Sequence, residues 1–172
     1  RRVRRDVRSQ LPPRTHTRVP VPLTPRQTAE HDELQPPIIK LFRIAKKRPL
    51  RPQEFLRLMS LMTTQRVICN GMAQLEYESV WPTLSSGGPS SPLQLDGLFS
   101  PKLLELRELV SEIVLRQERK LVIFSQWRRM LRLAHWAVSD LLAAEGKRGV
   151  FFTGKESQRQ RIRAVIELHD DP

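Results

Sequence analysis

The sequence predicts an α/β fold over residues 100–172, preceded by a mainly helical segment. Two short apolar runs, at residues 120–125 and 149–153, are typical of buried parallel strands. Each run lies between stretches in which apolar residues recur at helical spacing, so the predicted order is helix, strand, helix, strand, helix. In such a layer architecture the strands are parallel and their crossovers right-handed.

The charge of the chain favours a polyanionic partner. Lys and Arg number 30 against 18 Asp and Glu, which gives a net charge of +12. Phosphate attraction and counterion release make nucleic acid the first partner to consider. The first 26 residues carry eight arginines against one acidic residue, Asp6, and form a basic arm. An Arg-rich but merely solvated surface is the alternative, since net charge does not define a fold.

The remaining composition predicts an intracellular protein. Cys69 is the single cysteine, which excludes an internal disulfide and a cysteine-based zinc cluster. No apolar run approaches the ~20 residues of a membrane span, so no membrane partner is expected. We expect a cytoplasmic protein at a bacterial nucleoid, or a nuclear one in a eukaryote. The chain begins at Arg1 rather than Met and stops directly after a helical pattern, which favours part of a longer protein.

Prolines and helix-capping residues predict the first elements of the chain. Residues 11–23 contain four prolines and suit an edge strand or extended linker. Thr24, Pro25 and Gln27 form a capping signal that predicts a helix start. The pair Pro36-Pro37 breaks or kinks that helix, and an apolar stretch follows at residues 38–44.

A further helix and a linker complete the first part of the chain. The spacing of Phe55, Leu58, Met59 and Met62 predicts one face of a helix that runs to about Cys69, where Asn70-Gly71 gives a stop signal. Residues 83–92 are rich in Ser, Gly and Pro and predict a flexible linker, with a boundary near Ser90. The predicted segments are 1–23 (extended), 24–82 (helical), 83–99 (linker) and 100–172 (α/β unit).

Caps and apolar spacing delimit the helices of the α/β unit. Ser100-Pro101 predicts the start of a first helix, which ends near residues 117–119. The second helix follows the first strand and ends at Gly146. Its apolar stripe comprises Trp127, Met130, Leu131, Ala134, Val138, Leu141 and Leu142. Ser157 and Gln160 form a capping box for a third helix, with Ile162, Val165 and Ile166 expected inside.

Polar groups follow both predicted strands. Ser125 and Gln126 come where the first strand gives way to a helix, and Thr153, Gly154 and Lys155 come at the end of the second. Ligands of open α/β sheets bind beyond the carboxyl ends of strands, where helix amides attract anions. These five residues are therefore candidate phosphate contacts. Alternatively, Ser125 only caps the next helix and Lys155 is a solvated side chain.

The order of these motifs resembles a known family. Residues 120–127, with Ser100-Pro101-Lys102 before them and residues 153–161 after them, look like the start of the second lobe of SWI/SNF-type helicase-like ATPases, which are superfamily-two DNA translocases. Residues 11–27 and 66–70 are similar to the stretch between that family's two lobes.

The resemblance implies a fold and a function for the complete protein. It implies a partial RecA-like (P-loop NTPase type) second lobe after a helical protrusion, with residues 1–23 including the tail of the first lobe. It implies double-stranded DNA and the first ATPase lobe of the same polypeptide as partners, with ATP and Mg²⁺ as cofactors of the full-length protein. By this resemblance Ser125, Gln126, Thr153, Gly154 and Lys155 lie along the DNA track.

The departures from the family limit what this chain does alone. The phosphate-binding loop Gly-x-x-x-x-Gly-Lys-[Ser/Thr] is absent, as are the family's Asp-Glu pair and arginine finger. We therefore expect no ATP binding, no Mg²⁺ binding and no catalysis by this chain alone. A basic nucleic-acid or protein docking module without a motor is the alternative function. A small metal or hydrolytic enzyme is a third possibility, but the four histidines are scattered without carboxylates or Cys at ligand spacing.

Overall fold

The computed structural model describes residues 15–170, and their regular secondary structure is helical. Helices α1 to α10 follow in chain order, with α7 continuing into a π-helical turn, Ser111–Arg116. Their bounds are Pro25–Glu33 (α1), Gln35–Lys47 (α2), Pro52–Asn70 (α3), Met72–Leu75 (α4), Tyr77–Ser86 (α5), Pro92–Asp96 (α6), Pro101–Val110 (α7), Arg128–Ala137 (α8), Ser139–Ala144 (α9) and Gln158–Asp170 (α10). The predicted basic arm lies outside the described residues over positions 1–14.

The predicted α/β fold is wrong for this part of the chain. Residues 15–170 contain no strand, and the two apolar runs at 120–125 and 149–153 are irregular segments. A strand forms only when a neighbouring strand accepts and donates its backbone hydrogen bonds, and neither run has such a neighbour here. Phe124, expected in a buried sheet, is 91% exposed. The described fold is all-α, without the parallel strands of a RecA-like lobe.

The capping signal predicted at Thr24 and the helix break predicted near Pro36-Pro37 are confirmed. The Thr24 hydroxyl accepts a hydrogen bond from the Gln27 amide (3.2 Å), and the Gln27 side chain accepts one from the Thr24 amide (3.0 Å). The chain breaks at Leu34, between α1 and α2, and Pro36 lies in the first turn of α2. A proline there has no intrahelical bond to lose, so the pair starts a helix rather than interrupting one.

Helix α3 ends where the sequence predicts, but fewer residues of its predicted apolar face are buried. Asn70 is its last residue, and Gly71 follows with a φ of 150°. Of the predicted stripe, Leu58 is buried with Ile38 and Leu41 in a small cluster between α2 and α3, and Met62 packs against it. Phe55 is 51% exposed, although helical spacing places it on the same face of α3 as Leu58 and Met62.

The segment predicted as a flexible linker is about half helical in the structure. Residues 83–86 continue α5, and α6 occupies 92–96. Leu84, Leu95 and Leu98 are buried in the main core, so this stretch packs against the helices on either side of it. Burial of three leucines outweighs a local composition that favours coil. The division of the chain into four segments stays a prediction.

The main core joins α4, α5, α6 and α7 to α8. Leu133 and Ala137 of α8 are almost fully buried there, together with Leu103 of α7. The buried side of α8 is therefore turned away from part of the predicted stripe, since Trp127 and Leu131 are only partly buried. Val138 breaks the predicted single helix into α8 and α9.

Helix α10 has the predicted cap but not the predicted inner face. The Gln160 amide donates to the Ser157 hydroxyl at 3.3 Å, as the capping box requires. Ile162, Val165 and Ile166 are more than half exposed, so their assignment to the interior is wrong. That assignment required a sheet for α10 to cover, and the described residues contain none. No helix among residues 15–170 is long and apolar enough to cross a membrane.

Candidate nucleic-acid interface

The first predicted contact pair lies in the loop that leads into α8. The Ser125 hydroxyl accepts a hydrogen bond from the Trp127 amide (3.2 Å), so this side chain organises the turn before the helix. Gln126 is exposed and its amide group points to no partner among the described residues. The Gln126 side chain is thus free to contact a ligand, whereas the Ser125 hydroxyl also stabilises the turn before α8.

The second predicted group forms a loop that already contains an anion. The Glu156 carboxylate accepts hydrogen bonds from the Thr153 amide (2.5 Å) and the Thr153 hydroxyl (2.8 Å). Desolvation raises the pKa of Glu156, but the hydrogen bonds from Thr153 and the Glu156 amide, together with the charge of Arg161, outweigh it, and the net pKa is lowered. Gly154 has open space where a Cβ would lie, and Lys155 is exposed. Of the three predicted residues, Lys155 is therefore the one with a side chain available to a phosphate.

The structure does not join the two predicted loops. Within residues 15–170 no hydrogen bond or ion pair connects residues 125–126 with residues 153–155. Ser125 instead borders a cleft formed by residues of α7 and α8. The sequence predicted that both loops would lie at one edge of a parallel sheet. Without two adjacent parallel strands, each loop forms a separate surface.

One side of α2 forms a cationic surface. Lys40, Arg43, Lys46 and Lys47 are all exposed, and α2 contains no acidic residue. The spacing of 40, 43 and 47 places three of these cations on one face of the helix, opposite the buried Ile38 and Leu41. We call this set of four cations the α2 basic face.

The α2 basic face carries charge that the described structure leaves uncompensated. None of its four side chains forms an ion pair or hydrogen bond within residues 15–170. In contrast, several arginines elsewhere are each held by a carboxylate: Arg26 by Glu76, Arg48 by Glu54, Arg107 by Asp140, Arg116 by Glu112, Arg129 by Glu78 and Arg163 by Glu167.

The α2 basic face could have been found from the sequence. Between Gln35 and Gln53 there are six basic residues and no acidic one, and the apolar spacing already predicts which side is buried. The predicted basic arm lies instead in the first 26 residues and the predicted phosphate contacts at the strand ends, so neither includes the cations of α2.

ATP and Mg²⁺ stay predictions for the full-length protein. The sequence lacks the glycine-rich loop that cradles phosphates. No group of three or more His, Cys, Asp or Glu side chains in residues 15–170 is arranged to hold a metal ion.

A comparison with protein-family models, curated proteins and solved structures finds no match for the chain. Residues 15–170 define an all-α fold with a cationic helical face, in a chain with a net charge of +12.

Proposed function

We propose that this chain binds duplex DNA through the phosphate backbone, without reading base sequence, by means of the α2 basic face. The observation that carries the proposal is that four exposed cations share one helix with no acidic residue and no ion-pair partner in the described part of the chain. The face extends for roughly 10 Å between positions 40 and 47, at a rise of ~1.5 Å per residue. Over that length a duplex presents several phosphates.

Phosphate contact is favoured over base readout by the chemistry of the face. Lys and Arg side chains neutralise phosphates and release counterions, and this gives affinity without sequence information. Readout of adenine uses Asn or Gln side chains, and α2 beyond its first residue has neither.

A titration of labelled duplexes tests the proposal. Two duplexes of unrelated sequence are expected to bind about equally, with an affinity that falls steeply between about 50 and 200 mM salt. The variant Lys40→Gln/Arg43→Gln/Lys47→Gln is expected to lower the slope of log K against log salt by about 3. Salt-independent binding would contradict the proposal.

The matched control removes the same charge from arginines that carboxylates already hold. Arg116→Gln/Arg129→Gln/Arg163→Gln is expected to change DNA affinity much less than the α2 variant does, because those guanidinium groups are exposed but ion-paired. Equal losses in the two triple variants would show that only total charge matters. Lys155→Ala tests the contact predicted from the sequence and is expected to weaken binding equally on both duplexes.

The order of sequence motifs favours a second, more specific candidate, in which these contacts belong to an ATP-dependent DNA translocase of SWI/SNF type. Residues 66–70, 100–102 and 120–127 support it by their order along the chain. Its test is ATP hydrolysis by the full-length protein with and without duplex DNA. Hydrolysis that duplex DNA stimulates would support the translocase, whereas DNA binding without hydrolysis would leave a docking module.

A further inference from the structure

A cavity of about 370 Å³ lies where α1 and α3 meet the beginnings of α7 and α8. None of the four cations of the α2 basic face lines it. The side chains that decide its chemistry are His31, Arg66, Cys69, Lys102 and Trp127.

The cavity carries positive charge that no lining carboxylate offsets. Arg66 has no hydrogen bond or ion pair within residues 15–170. The Lys102 ammonium donates only to a neutral amide, the Asn70 Oδ1 atom, at 3.1 Å. The residues that line the cavity include no Asp or Glu. Two cations beside one cleft favour an anionic ligand, and phosphate is an anion that both Arg and Lys bind.

The same cavity has an aromatic wall. Trp127 is partly exposed and lines it together with Met62 and Cys69. A planar heteroaromatic base stacks on an indole whatever its identity. A cavity of about 370 Å³ is at the small end of ligand sites and suits one nucleotide rather than a duplex. A base in a duplex is stacked on both sides and cannot present its face to a side chain.

We infer that this cavity binds one unpaired nucleotide of a nucleic-acid strand, with the phosphate at Arg66 and Lys102 and the base against Trp127. The inference rests on the proposed nucleic-acid role and adds a preference for strands with an unpaired base. The chemistry it requires is a phosphate beside an unstacked base, which a free nucleotide also offers.

Cys69 provides the measurement, because it is the only cysteine in the chain and lines the cavity. Its rate of alkylation by iodoacetamide is measured with a short single-stranded DNA, a deoxynucleoside monophosphate, a blunt duplex or inorganic phosphate. Saturating single strand is expected to slow alkylation at least 10-fold, and blunt duplex and phosphate to have little effect. Protection by the mononucleotide as well would support the site and identify a single nucleotide as sufficient.

Three results would overturn the inference. They are no protection by either the single strand or the mononucleotide, equal protection by inorganic phosphate, and equal protection by the blunt duplex. The second would remove the role of the base, and the third would remove the requirement for an unpaired one.

Single substitutions distinguish the phosphate contact of Arg66 and the stacking contact of Trp127 from general effects on folding. Arg66→Gln is expected to reduce the protection of Cys69 by single strand about 10-fold. Arg57 is exposed on the same helix outside the cavity, and Arg57→Gln is expected to leave this protection unchanged. Trp127→Leu is expected to weaken single-strand protection about 10-fold, in line with loss of one stacked base. Thermal unfolding of each variant shows whether it is folded. If Trp127→Leu does not fold, Arg66→Gln still tests the inference.

The α2 triple variant separates this inference from the proposed function. It is expected to lose duplex affinity but keep protection of Cys69 by single strand, and Arg66→Gln is expected to do the reverse. Loss of both activities in Arg66→Gln, with folding intact, would contradict a separate site. Unchanged duplex binding in the α2 variant would contradict the proposed function alone.

Discussion

Gly71 is a position where any side chain meets another residue. Its φ is 150°, and a Cβ built there would lie 2.4 Å from the Ser100 Oγ atom. The Ser100 hydroxyl cannot easily turn away, since it donates to the Asn70 carbonyl at 2.7 Å. Ser100 is the N-cap residue of α7, as the sequence predicts, and this bond explains why its hydroxyl makes no capping hydrogen bond to that helix. The junction of α3 and α7 therefore depends on a residue without a side chain.

We predict that Gly71→Ala destabilises the fold by about 2 kcal/mol or more, from backbone strain and the contact with Ser100. The free energy of unfolding in urea measures the loss. Gly154→Ala is the control, because a Cβ at position 154 would meet nothing within 4 Å. Similar losses in the two variants would show that the close approach to Ser100 is not what matters.

Arg107 and Asp140 form the best-enclosed ion pair of the described chain. The two side chains are 13% and 27% exposed, and the Arg107 Nη2 atom lies 2.7 Å from the Asp140 Oδ2 atom. The Ser90 hydroxyl donates to the same carboxylate at 2.7 Å. The hydrogen bond from Arg107 is the largest cause that lowers the pKa of Asp140, from 3.8 to about 2. The pair links α7 to α9 and to the turn before α6.

The lowered pKa of Asp140 gives a pH dependence of known sign. A carboxyl with a lower pKa in the folded state stabilises the fold above its unfolded pKa, and this contribution is lost as pH falls through the folded pKa. The loss should fall between about pH 4 and pH 2. We predict that Asp140→Asn costs about 2 kcal/mol at pH 7 and flattens that part of the stability profile.

The control for Asp140 is an exposed ion pair on the surface. Glu112→Gln removes an i,i+4 partner of Arg116 and is expected to leave the free energy of unfolding almost unchanged. Urea denaturation of the wild type and both variants at several pH values compares them. An acid-induced loss of the same size in Asp140→Asn and the wild type would contradict the assignment to Asp140.

At the scale of elements, the apolar run before α8 distinguishes the observed fold from the predicted one. Phe124 is 91% exposed, whereas Leu133 in α8 is 1% exposed. We predict that Phe124→Ser changes the free energy of unfolding by less than about 0.5 kcal/mol. Leu133→Ala is expected to cost about 2–5 kcal/mol through its cavity. A large loss in Phe124→Ser would mean that the run is buried, as a strand of a sheet would be.

Elements that depend on near neighbours could be predicted from the sequence, and those that depend on distant partners could not. The caps at Thr24 and Ser157 are local, because each joins residues three positions apart. A strand at 120–125 depends on a partner that sequence periodicity does not identify. The buried side of α8 likewise depends on which helices surround it. The α2 basic face needed only helical spacing and charge, so it was within reach of the sequence.

At the scale of the whole molecule, the charge is the dominant physical property. The net charge of +12 repels itself in the compact state, and the α2 basic face concentrates four of these charges on one helix. A polyanion that binds the folded chain relieves this repulsion and stabilises the fold by mass action. Stability and DNA binding should therefore be linked through salt.

We predict that duplex DNA raises the Tm of the chain at low salt and has little effect at high salt. At about 100 times its Kd, a ligand that binds only the folded state adds about 2.7 kcal/mol. For a chain of this size that corresponds to a rise in Tm of roughly 5–10 °C. Differential scanning fluorimetry at about 50 and 500 mM salt measures it. The α2 triple variant is expected to show a smaller rise at 50 mM salt, while the variant that lacks three ion-paired arginines keeps most of it. An equal rise in both variants would mean that DNA recognises the total charge of the chain and not the α2 basic face.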